Sequence, residues 1–184
     1  MDWYNEPPRW ASAGNTITMQ AGPNTDFWRL TAGGYVRDSG HFYYQRQRGD
    51  FQAEVRFKGE YQAMYDQAGL MVRVNEATWL KCGIELVHGR QQVSAVVTRE
   101  YSDWSMVALP DKIELIWLRV HRHGATIEIH YALDGYDYQL LRQTYLSQAE
   151  AMDVGLMCAS PEGLGFLVRF EDFSLQAYKS EKQA

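Results

Sequence analysis

The sequence predicts an all-β protein: a two-sheet antiparallel β-sandwich of jelly-roll type with little helix. Three observations carry this. Apolar and polar residues alternate at period two along most of the chain. Three glycine-containing turns set hairpin registers in which apolar residues oppose apolar residues. Aromatics make up 14% of the 184 residues, with 12 Tyr and 6 Trp, and such rings favour strands while leaving surplus for ligand stacking.

In chain order, strands are expected at residues 15–21, 26–32, 40–47 and 50–58. Within 26–32, Phe27 and Arg29 share one face and Asp26 and Trp28 the other, and the pattern leaves open which face points inward. In the next run Ala68, Leu70, Val72 and Val74 oppose Gln67, Met71 and Arg73 across the strand. Leu80, Cys82, Ile84 and Leu86 then oppose Trp79, Lys81 and Glu85. A His88-Gly89 turn would pair Ile84 with Val93, Cys82 with Ala95 and Leu80 with Val97. After a "SDWS" loop, a strand is expected over 105–109.

A Gly124-Ala125 turn would pair His123 with Thr126, His121 with Glu128 and Arg119 with His130, which leaves Leu118, Val120, Ile127, Ile129 and Tyr131 on a core face. An Asp134-Gly135 turn would set Tyr131 opposite Tyr138 and Ile129 opposite Leu140. One short helical turn is expected in "YLSQAEAMD", capped by Ser147. Strands over 153–160 and 165–178 bring the total to roughly a dozen, spaced as in a sandwich. The organisation expected is a single domain over 1–184 with a frayed polar tail at about 179–184.

Composition narrows the function classes. The net charge is −5 and the 18 Lys and Arg are scattered, so no dense positive patch for nucleic acid is expected. The apolar runs are strand-sized, far short of the roughly 18 residues of a membrane helix. The opening "MDWYNEPPRW" lacks the basic and apolar regions of a signal peptide. Cys82 and Cys158 each sit in an apolar strand, which reads as two buried thiols in a cytoplasmic protein.

The polar face of the central strands carries the chemistry. Arg73, Trp79, Lys81, Glu85, Gln92, Ser94 and Thr98 are gathered there by the expected pairing. An indole platform, cationic donors, a carboxylate and adjustable hydroxyls suit a polyhydroxylated ligand. The plainer alternative is a wet sheet face crossed by ion pairs. Trp79 and Trp104 are the expected stacking platforms, and Arg73, Lys81, Glu85, Ser94 and Asp103 the polar contacts, with His41, Tyr43 and Trp28 at the rim. His121, His123, His130 and Glu128 share one hairpin face, but none of the tight spacings that mark zinc motifs occurs, so neither metal nor cofactor is expected. No G-x-S-x-G elbow and no phosphate-binding glycine loop is present.

The segments "TDFWRLTAGGYVRDSGHFYY", "YDQAGLMVRVNEATWLKCGIELVHG", "VSAVVTREYSDWS", "WLRVHRHG", "YALDGYDYQLLR" and "GFLVRFEDFSL", in this order, resemble the family called domain of unknown function 1349 almost end to end. The resemblance implies a concanavalin A-like lectin/glucanase sandwich whose concave sheet holds a carbohydrate or an active site. Glucanases of that fold carry an E-x-D-x-x-E strand motif, which has no match here. The expected function is therefore binding of a carbohydrate or related polar small molecule without catalysis. Two alternatives stand beside it: a glycoside hydrolase using Glu85 with a second carboxylate such as Asp103, and a protein-interaction module regulating a metabolic enzyme.

Overall fold

The structure, a computed structural model, describes residues 1–109 and 113–177. One seven-stranded antiparallel sheet runs β1 (Asp2–Tyr4), β6 (His41–Arg48), β15 (Ala151–Ala159), β8 (Gln67–Asn75), β9 (Thr78–Val87), β10 (Arg90–Arg99) and β11 (Tyr101–Ala108). A second seven-stranded sheet runs β14 (Gln139–Tyr145), β13 (Thr126–Ala132), β12 (Ile116–His123), β7 (Phe51–Gly59), β16 (Leu167–Ala177), β3 (Thr16–Gln20) and β2 (Arg9–Ala13). A short ribbon of β4 (Phe27–Arg29) and β5 (Val36–Asp38) stands apart from both. The fold is the antiparallel sandwich that the period-two pattern predicts.

The main core forms where the two inner faces meet. Leu70, Val72, Leu80, Cys82, Val93 and Ala95 from the first sheet pack with Phe51, Val55, Phe57, Leu118 and Val120 from the second. Both cysteines are buried and unbonded, and burial pushes the Cys82 thiol up to about 12. Two of the three expected two-residue turns hold. His88 and Gly89 adopt φ of 49° and 73°, and Ile84 pairs with Val93, Cys82 with Ala95 and Leu80 with Val97. Gly124 has φ of 58°, with Arg119 opposite His130 and His121 opposite Glu128.

Three local expectations are overturned. The Asp134-Gly135 segment is not a two-residue turn: Tyr131 pairs with Gln139, His130 with Leu140 and, across a bulge, Ile129 with Arg142. Asp134 Oδ1 accepts the N–H groups of both Tyr136 and Asp137 at 2.9 Å, so its side chain builds a longer loop, and Leu140 ends 58% exposed instead of in the core. No helix forms near Ser147; its hydroxyl accepts the Ala149 N–H at 3.1 Å in an extended connection tied down by buried Leu146. Finally, "SDWS" is not a loop but part of β11, where Asp103 opposes Val97 and Trp104 opposes Val96. The expected frayed tail lies outside the described residues.

A second apolar cluster lies on the first sheet's other face. Met71, Trp79, Val96, Phe42 and Met157 pack there with Phe27 of β4. Strands β8, β9 and β10 are consequently buried on both faces for most of their length. The reason is the β4–β5 ribbon, which covers part of a face that alternation alone marks as wet.

Candidate ligand-binding site

The ribbon is held against the sheet by charge. Asp38 at the end of β5 receives both guanidinium nitrogens of Arg73, each at 2.8 Å. Tyr4 donates its hydroxyl to the same carboxylate at 2.7 Å, and its ring lies 4.4 Å from the Arg73 guanidinium carbon. At the other end, Lys81 reaches up from β9 to Phe27 O at 2.6 Å and Asp26 Oδ1 at 3.3 Å. Both cations are almost fully buried, which the bidentate and carbonyl contacts make tolerable.

Beside these anchors the ribbon arches over the sheet and leaves a cavity of about 590 Å³. Asp26, Gln67, Lys81 and Glu85 supply its polar groups. Trp28, Tyr35, Tyr65 and Trp104 supply rings, and Thr31, Ala32 and Gly33 of the ribbon tip close one side. The tip turns tightly, with left-handed φ at Leu30, Ala32 and Gly34 and Gly34 N–H bonded to Leu30 O at 2.8 Å. At Gly33 a Cβ would stand 2.3 Å from the Tyr35 ring, so only glycine lets Tyr35 take its place there.

Three of the four rings have partners that hold them. Trp104 donates its indole N–H to Glu85 Oε2 at 2.9 Å and to Ser94 Oγ at 3.1 Å. The Tyr65 ring stands edge-on to it, 6.3 Å between centroids. Trp28 donates its indole N–H to Thr31 O at 2.8 Å. Gln67 bridges Tyr65 O at 3.1 Å and Asp26 Oδ1 at 3.4 Å. Burial holds the Glu85 carboxyl above the usual range, opposed by Lys81 and by the hydrogen bonds from Ser94 and Trp104. The Tyr65 hydroxyl is raised as well, by burial first and then by nearby carboxylates.

Of the residues expected at the site, Lys81, Glu85, Asp103 and Trp104 line this cavity, and rim candidate Trp28 joins them. Ser94 sits beneath, bonded to Trp104. The expected stacking role of Trp79 is corrected: the indole is 1% exposed, packed against Phe27 at 6.1 Å between centroids, and offers no face to a ligand. Arg73 is likewise committed to Asp38 outside the cavity. His41 is also displaced from the expected rim. It is buried, its Nδ1 stands 2.7 Å from Asn5 O, and its Nε2 accepts the Gly22 N–H at 2.9 Å. Tyr43, another expected rim residue, stacks on Trp3 at 4.6 Å. Asp103 stands at the mouth, 68% exposed and paired with Arg142 at 2.9 Å.

Asp26, Tyr35, Tyr65 and Gln67 are among the cavity residues that the expected site does not include. Asp26 shares the strand face of Trp28, and the ribbon's orientation turns that face to the cavity while Phe27 takes the apolar side. Tyr35 follows a Gly-Gly pair; an aromatic beside such a tight turn is the one sequence signal that marks it.

Residues 3–178 match a family model described as protein of unknown function, DUF1349. The chain is 37% identical over 175 residues to Regulation of enolase protein 1 of Saccharomyces cerevisiae, covering 95% of this chain and 88% of that protein. A crystal structure of a functionally unknown protein from the same yeast superposes with a TM-score of 0.93 at 36% identity, over 97% of both chains. More distant likenesses show the fold alone. A carbohydrate binding module of Bacillus subtilis has a TM-score of 0.61 at 12% identity over 95% of both chains. A GH43 protein of Bacillus licheniformis has a TM-score of 0.73 at 14% identity, over 94% of this chain but 36% of its own. The match across nearly the full length places this chain in the DUF1349 family.

Proposed function

We propose that the cavity binds a carbohydrate or a closely related polyhydroxylated small molecule, without turning it over. The observation that carries the reading is Trp104. The residue is 36% exposed at the cavity wall, yet its indole is held by two acceptors. Such a ring is a preorganised plate for a sugar face, with little side-chain entropy left to lose. Gln67, Lys81 and Asp26 stand around it as directional donors and acceptors, the mix that orients a polar ligand in a largely apolar pocket. The likeness to a carbohydrate binding module supports the same reading at the level of fold.

Calorimetric titration against a panel of mono- and disaccharides tests it. A saturable ligand is expected, with Trp104→Ala weakening it about tenfold, the worth of one stacked ring. Absence of any saturable sugar, or unchanged affinity in that variant, refutes it. A hydrolytic reading has one observation in its favour: Glu85, raised by burial, shares the cavity with a second carboxylate, Asp26. The carboxylates that line the cavity with Glu85 are Asp26 and the exposed Asp103. Turnover of an aryl glycoside, abolished by Glu85→Gln, would replace binding with catalysis. Regulation of a metabolic enzyme rests on the name of the yeast relative, and a stoichiometric partner in a pull-down without sugar affinity would favour it.

A further inference from the structure

The outer face of the second sheet holds a separate set of donors. The β12–β13 register sets His121 opposite Glu128 and Arg119 opposite His130, so both imidazoles and the carboxylate emerge on one side of a hairpin. All three are half-buried, and one donor atom from each lies within 4.8 Å of the others. The His121 and His130 ring centroids are 5.6 Å apart.

The surroundings are arranged around this cluster. Gln52 Oε1 stands 2.9 Å from His121 Nε2, and Gln143 donates to Glu128 Oε1 at 2.9 Å. These are outer contacts of the kind that orient metal ligands. Arg119, the cation that would oppose a bound metal, is drawn aside. Its Nε donates to Glu54 at 2.9 Å, and its guanidinium carbon lies 3.7 Å from the Tyr138 ring centroid. His130 Nδ1 is buried and has no hydrogen-bond partner among the described residues. A buried imidazole nitrogen left so carries an unmet desolvation cost.

We infer that His121, His130 and Glu128 form a binding site for a divalent transition metal of the zinc class. Two imidazoles and one carboxylate are the donor set such ions prefer, at about 2.0–2.2 Å from each donor. Three protein ligands leave a coordination position open, and a shallow depression lined by Gln52, His121, His123 and Gln176 adjoins it. Closed structural zinc sites use four protein ligands; an open one admits water or an anionic ligand.

Equilibrium dialysis of the full chain with Zn²⁺, and visible absorption of the Co²⁺-loaded protein, test this. One equivalent of Zn²⁺ per chain is expected, with Co²⁺ giving the intense bands of a low-coordinate nitrogen and oxygen site. His121→Ala and His130→Ala should each weaken Zn²⁺ binding at least about tenfold, and metal-free melting checks that both variants fold. Wild-type protein that takes up no stoichiometric metal overturns the assignment. So does uptake that survives in the double variant.

Discussion

Removing the Asp38 carboxylate should loosen the β5 end of the ribbon on the first sheet and destabilise the fold. In Asp38→Ala, Arg73 loses both 2.8 Å contacts and Tyr4 loses its acceptor. The Arg73 side chain is 7% exposed against 22% for Asp38, so deleting the acid strands the more deeply buried charge. Breaking a buried pair from one side costs about 3–5 kcal/mol. For a chain of this length that lowers Tm by roughly 6–20 °C. Arg73→Met leaves the more exposed partner behind and keeps an apolar stem over Tyr4, so it should cost less. The double variant should recover part of the loss, with a coupling of roughly 1–3 kcal/mol. Urea unfolding of the wild type, both single variants and the double variant closes the cycle. Additive single effects, or Asp38→Ala within about 0.5 kcal/mol of wild type, would refute an electrostatic anchor.

Two further outcomes follow from the same geometry. Trp79→Ala should destabilise by about 3–5 kcal/mol as a core truncation, read by chemical denaturation; an equally stable variant would mean the indole is not packed. Glu85→Gln should stabilise the protein at neutral pH. The raised Glu85 carboxyl contributes favourably below the ordinary glutamate range and loses that contribution as pH rises through its folded value. The gain from the amide should therefore vanish in acid, and pH-dependent melting curves that run parallel for variant and wild type would contradict it.

How far the sequence reaches depends on the range of the contacts. At His88-Gly89 and Gly124 the backbone itself enforces the turn through positive φ, so strand phase and the aliphatic core are legible from neighbouring residues. At Asp134 a side-chain cap and a bulge intervene, and the dipeptide signal misplaces the register. The site is legible only by face. Alternation puts Lys81, Glu85 and Trp79 on the same side of β9, but nothing local announces that a ribbon some 50 residues earlier folds over them. That long-range cover buries Trp79, engages Arg73 and brings Asp26, Trp28 and Tyr35 to the cavity.

The ribbon divides its labour along its length. Its roots at Asp26, Phe27 and Asp38 are clamped to buried cations, whereas its tip from Thr31 to Tyr35 is secured by its own backbone bonds. On the proposed binding reading, a replacement at Thr31 should therefore alter what the hollow admits while leaving the sandwich's stability largely untouched. On the same reading, exchanging the arch between two proteins built on this plan should carry ligand preference with it, while Lys81 and Glu85 keep the floor beneath it unchanged.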